Sequence, residues 1–153
     1  MIVSLHVAAG AIVGAAARSR IPAIALGLLA HAAGDRIPHQ DIGSRNFELV
    51  SGMAGLALLA VGRGPLHPIT LGAAACSAPD IEHAVRLPRP GGRKLFPSHR
   101  FTGWHRAGGL PAGLQVLVAG LVLGFLARRS PAAEFPRVRE GILAKTRRGT
   151  HGA

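Results

Sequence analysis

Between His31 and Asp41 the chain reads HAAGDRIPHQD, placing two imidazoles and two carboxylates at the end of an apolar run. On a helix His31 and Asp35 are one turn apart and share a face, so a ring nitrogen and a carboxylate oxygen can reach one cation. Pro38 ends that helix and leaves His39 and Asp41 on the turn that follows. A second group, SAPDIEH, sets Asp80 and His83 three residues apart with Glu82 between them, and a third, PSHRFTGWHR, carries His99 and His105. His6 stands by itself on an otherwise apolar segment. Histidine with carboxylate and no thiolate is a donor set for zinc or another divalent first-row metal, with manganese and iron as alternatives.

These donors are far apart in sequence, so helices must bring them together. Apolar runs predict helices over 2–17, 21–35, 47–61, 68–76 and 107–127, with a turn-rich, irregular stretch over 86–106 before the last. Gly10 and Gly14, and again Gly120 and Gly124, are spaced to let a neighbouring helix approach closely. The run 107–127 holds 21 residues without a charge, ended by Arg128 and Arg129, and is the strongest transmembrane signal in the chain. The other runs fall short of the roughly 20 residues that cross a bilayer perpendicularly, so they extend through polar ends or sit in thinned membrane. The expectation is an all-α, membrane-embedded bundle of about five short helices. Residues 1–129 form the helical domain, with site loops over 36–46 and 77–106, and 130–153 form a basic, disordered tail.

Short connections make neighbouring helices alternate in direction. His6, the His31–Asp41 group, Glu48, the Asp80–His83 group, His99 and His105 then all fall at one end. Of the eight histidines and seven acids only His67, His151, Glu134 and Glu140 fall elsewhere. Ionisable groups that converge at membrane depth mark a site.

Composition narrows the class. Hydrophobic residues make up 48% and charged ones 16%, with 21 glycines and no tyrosine, which suits close helix packing in lipid. Mean hydropathy is +0.31. The net charge is +11, but seven of the 18 basic residues follow Ala127, and Phe135 alone lies among them, too little aromatic surface for base stacking. A basic tail after a long apolar run reads as a lipid-facing cytoplasmic anchor, so membrane lipid is the expected partner and nucleic acid is not. Cys76 is the only cysteine, which excludes an intramolecular disulfide and a Cys-rich zinc site. No basic region precedes the first apolar run, so it reads as a retained span and the chain as a multi-pass protein of the cell (inner) membrane.

The three motifs, with the helix-borne His6, resemble elements of the YdjM-type membrane-bound metal-dependent hydrolases. That family combines a PD-acid-H motif, an HR-x-x-T-H-like motif and an H-x-x-x-D motif. The likeness spans residues 6–105, with the H-x-x-x-D element placed before the PD-acid-H element, the reverse of that family's order. The H-x-x-x-D element is also similar to one in zinc-dependent phospholipases C. The resemblance implies an integral membrane protein hydrolysing an ester or phosphoester. In that reading His31, Asp35, Asp80 and His83 are ligands, His6, His39, His99 and His105 are further donors to one or two metal sites, and Glu82 or Asp41 is the general base. Arg100 or Arg106 would hold an anionic group, and Arg86, Arg89, Arg93 and Lys94 suit a phosphate-bearing head group or a solvated loop alike. The competing reading is a non-catalytic membrane protein whose loops are stapled by a structural metal or by hydrogen bonds.

Overall fold

A computed structural model describes residues 1–85 and 87–128. The expected tail over 130–153, with His151, and Arg86 lie outside the described residues. The elements are α1 (Val3–Ala17), α2 (Arg20–Gly34), α3 (Arg45–Arg63), α4 (Pro68–Ser77), α5 (Ile81–Ala84), α6 (Pro97–Arg100) and α7 (Ala112–Ala127). Tight 3-10 turns at Ala78–Asp80 and Pro90–Gly92 join them, and no strand forms among the described residues. The expected all-α architecture and the first four helices are present within about two residues of their predicted limits.

The bundle is built on α1, which packs against α2, α3, α4 and α7. Its glycines decide how close the neighbours come. A Cβ on Gly10 would collide with the Gly72 carbonyl and the Cys76 side chain of α4, and one on Gly14 would meet the Pro68 carbonyl. Gly72 in turn lies against α1, and Gly27 of α2 abuts α4 as well. The spacing of Gly10 and Gly14 therefore does what the sequence suggested, bringing backbones into contact where dispersion is strongest. Around this contact Ile2, Val7, Ala11, Leu59, Ile69 and Ala73 form the buried core.

Chain punctuation sets the ends. Arg18, at φ 56°, stops α1 in the left-handed region. Ser44 caps α3 by accepting from the Phe47 amide at 3.4 Å, and Glu48 sits in its first turn beside the positive helix end. At α4 the His67 ring accepts from the Ile69 amide at 3.2 Å and Pro68 occupies the first turn. That accounts for the one described histidine expected away from the site.

The last apolar run departs from expectation. Instead of a helix over 107–127, α7 begins at Ala112, because Gly108 and Gly109 take φ values of 91° and 72° and Pro111 precedes the first turn. The freed segment pairs with the loop after α2: Leu110 N–H donates to Pro38 (2.9 Å), Gln40 N–H to Leu110 (3.0 Å) and His39 N–H to Arg106 (3.2 Å). Any side chain on Gly109 would strike the Pro38 carbonyl. Gly120 and Gly124 are likewise corrected: among the described residues nothing packs on either, since α7 seats through Gln115, Ala119, Leu123 and Ala127. The stretch expected to be irregular, 86–106, also contains the 3-10 turn at Pro90–Gly92 and the short helix α6, opened by Pro97.

No helix among the described residues is long and apolar enough to cross a membrane. Large apolar side chains nonetheless cover the outside, including Ile21, Val61, Met53 and Phe125, each at least 70% exposed.

Candidate metal centre

Asp35 caps α2 and is fully buried at the end of the bundle. Its Oδ1 faces His6 Nε2 at 3.1 Å and the Met1 nitrogen at 3.4 Å. Its Oδ2 faces three imidazoles: His31 Nε2 at 3.0 Å, His105 Nε2 at 3.3 Å and His99 Nε2 at 3.6 Å. His31 Nε2 and His99 Nε2 are 3.2 Å apart. His31, Asp35 and His99 thus form a triangle with edges of 3.0 to 3.6 Å. A tetrahedral shell with zinc–nitrogen bonds of the usual length separates neighbouring donors by about 3.3 Å.

Hydrogen placement sharpens the fit. The Nδ1–H of His31 donates to the Cys76 carbonyl at 2.8 Å, which assigns the proton of the neutral ring to that side and turns the Nε2 lone pair toward Asp35 and His99. One proton cannot satisfy three acceptors that face one another. Asp35 Oδ2, Asp80 Oδ2 and His99 Nδ1 are in fact buried with no hydrogen-bond partner among the described residues. Such orphaned groups are costly unless something compensates them, and a shared cation would do so for several at once.

Two further donor groups adjoin the first, one of His6, His31 and Asp80 and one of Asp80, His83 and His99, each with donor atoms within 4.8 Å. Asp80 Oδ1 lies 3.8 Å from His99 Nε2. The His6 ring stacks on His31 with centroids 4.2 Å apart. Burial pushes the Asp80 carboxyl up to about 7, the nearby imidazole of His31 working against that shift and the Asp35 charge with it. Burial pulls His99 down to about 4, aided by His83 and His31, and lowers His83 and His105 as well. These rings are consequently neutral and able to donate at neutral pH.

Each element has a local reason for its place. Glu82 of α5 is buried and accepts from the Leu95 amide at 2.7 Å and the Phe96 amide at 2.8 Å. It thereby anchors the segment leading to α6 and sets Oε1 3.6 Å from His99 Nδ1. Trp104 Nε1 donates to the Ala32 carbonyl at 2.9 Å, tying the His105 loop to α2, with the Arg36 guanidinium 4.9 Å above its ring. His39 donates from Nδ1 to the Ile37 carbonyl at 2.7 Å and turns Nε2 toward Asp41 Oδ1 at 3.4 Å.

Of the residues singled out from sequence, His6, His31, Asp35, Asp80, His83, His99 and His105 are brought together here. His39 stands on the adjacent wall, with Met1 between it and Asp35. Asp41 is 73% exposed at the mouth. Glu82, expected as a general base, has both oxygens engaged by backbone amides, an arrangement that suits it to orienting His99. Arg100 and Arg106 point outward and do not line the cleft. The cleft, about 470 Å³, is bounded by Asp80, His83, His105, His39, Asp41 and Arg45. Arg45, held by the Ala84 carbonyl, went unnoticed as a site residue, although its place just after the Ser44 cap was a usable signal. Gln115 was missed too. Fully buried, it accepts from the Ile2 amide at 3.1 Å and donates to the Gln40 (2.8 Å) and Leu110 (3.0 Å) carbonyls, locking α7 to the site loop. A lone amide within an apolar run was the signal for it.

No family model, curated protein or solved structure matches this chain.

Proposed function

We propose that this protein is a membrane-associated, metal-dependent hydrolase of an ester or phosphoester. The observation that carries the reading is the His31–Asp35–His99 triangle, whose donor spacing suits one divalent cation and whose Asp35 Oδ2 is buried with no hydrogen-bond partner among the described residues. Catalytic sites hold their ion by three protein donors and leave a position open, where structural sites are closed by four; the triangle supplies three, and its neighbours Asp80, His83 and His105 line the cleft. Zinc suits the donor chemistry best, with manganese or iron as alternatives. A divalent ion held there supplies Lewis acidity, polarising an ester or phosphoryl oxygen and acidifying water.

The chain's own residues have separate tasks. His31, Asp35 and His99 hold the ion, with Asp80, His83, His6 and His105 close enough to complete the shell or a second one. Asp41, exposed at the mouth, is the carboxylate placed to take a proton from water, and Arg45 is the cation on the cleft wall for an anionic substrate group. In the reaction the oxygen of water joins the acyl carbon or phosphorus, the bond to the leaving oxygen breaks, and that oxygen receives one of the water protons. The apolar outer faces of α2, α3 and α7, and the motif likeness to the YdjM-type hydrolases, support placing the bundle in or on lipid.

The test is elemental analysis of purified full chain after incubation with zinc, with a His31→Ala, Asp35→Ala double variant beside it. Bound metal in the wild type alone, together with turnover of an ester or a phosphodiester, supports the reading. A well-folded wild type that takes up no metal removes it. Metal without turnover of any substrate assigns the ion a structural role instead.

A further inference from the structure

Two hollows adjoin across Met1 and His39 at the metal end of the bundle. The cleft shares Met1 and His39 with a second cavity of about 310 Å³ that is walled by apolar side chains. Its floor is α1, where Leu5, Ala9 and Ile12 recur at the spacing of one helix face. Ala33 of α2 forms one wall, and Val118 and Val122 of α7 the other. Both α2 and α7 pack on α1, yet they do not pack extensively on each other, so the space between them stays open along α1. Small residues of α1 and α2, among them Ala9, Ala30 and Gly34, deepen it. From Leu5 to Ile12 it runs about 10 Å by helical rise.

We propose that this groove holds the hydrocarbon chain of an amphiphilic substrate, whose ester or phosphoester head reaches the His31–Asp35–His99 centre past His39. The inference rests on the hydrolytic reading of that centre. The shared wall decides the occupant: Met1 and His39 line both the apolar groove and the polar cleft, so a ligand that reaches across them needs a chain at one end and a reactive head at the other. Each methylene buried there adds affinity without touching the reacting bond, which favours long-chain substrates through KM. The apolar outer faces of α2 and α7 would let such a chain enter sideways from lipid.

Two measurements test this on the full chain loaded with zinc. In the first, an alkyl phosphodiester bearing a diazirine on its chain is photolysed with the protein and the labelled peptides are mapped. Labelling should concentrate on the groove faces of α1, α2 and α7, fall several-fold in an Ala9→Phe, Ala33→Phe double variant, and survive in Asp35→Asn. Val118→Phe, on the exposed rim, gives the same comparison without adding bulk to the floor. In the second, p-nitrophenyl phosphodiesters of increasing alkyl length should show KM falling with length, an advantage that the groove variants abolish while short-chain turnover persists. Label spread evenly over the exposed helices, or indifferent to the variants, overturns the groove. Label in the groove with no turnover sustains it and removes the hydrolytic reading, whereas turnover independent of chain length does the reverse.

Discussion

His31 and Asp35, four residues apart at the end of α2, bring Nε2 and Oδ2 to 3.0 Å while the His31 Nδ1 proton is committed to the Cys76 carbonyl on the far side of the ring. In the neutral ring two lone pairs then face each other in a buried place. A second proton on His31 would relieve that pair but leave His99 and His105 facing the same oxygen. A divalent cation relieves all of them. This relationship makes the centre testable without knowing a substrate.

Asp35→Asn keeps the shape of the side chain and removes its charge. Metal content measured by elemental analysis should fall from about one ion per chain or more to near zero, because a first-row cation needs the anionic oxygen. Retention of wild-type metal content would place the ion elsewhere.

Glu82→Gln should act on the metal indirectly and on the fold directly. The carboxylate accepts two backbone amides, and a glutamine offers one oxygen and a donor that faces an N–H, so a loss of about 1–3 kcal/mol is expected in chemical denaturation. Losing the carboxylate that faces His99 Nδ1 should also weaken metal binding about 10- to 100-fold in a chelator competition. Unchanged affinity would show that Glu82 only supports the loop.

Metal affinity should depend on pH through Asp80. Burial raises this carboxyl to about 7, so below that pH the folded protein holds a proton that a metal must displace. His99, lowered to about 4, is already neutral and adds no slope above pH 5. Isothermal titration should show affinity rising about tenfold per pH unit up to neutrality and levelling beyond it. In the metal-free protein the sign is opposite for this group: a raised carboxyl stabilises the fold below its unfolded value and loses that contribution as pH rises through 7. Asp80→Asn should flatten the affinity profile.

Two glycine-to-alanine changes should differ in sign. At Gly72 the new methyl would lie against the Gly10 carbonyl and the Gly14 backbone, forcing α1 and α4 apart at a cost of about 1–3 kcal/mol or more. At Gly120 it meets open space, and the helix should gain about 0.5–1 kcal/mol from the lower entropy of alanine. Unfolding in urea compares the two. Equal effects would mean that the α1–α4 contact is looser than described.

Much was legible in the residues alone. Apolar runs broken by Pro, Gly and charge located four of the long helices, and short connections then obliged His6, Asp35, Asp80 and His99 to share one end, since alternating helices have only two ends to offer. Local pattern could not say which atoms would meet there. That His31 turns a lone pair inward depends on the Cys76 carbonyl 45 residues away, and that Glu82 orients His99 depends on amides at Leu95 and Phe96. The start of α7 was misjudged for a related reason: hydropathy registers that 107–111 is uncharged, but not that its glycines can take positive φ and let Leu110 pair with Pro38 and Gln40. Periodicity reports which face of a helix is apolar. Which neighbour covers that face, and which proton goes to which carbonyl, is decided only when distant segments compete for the same space.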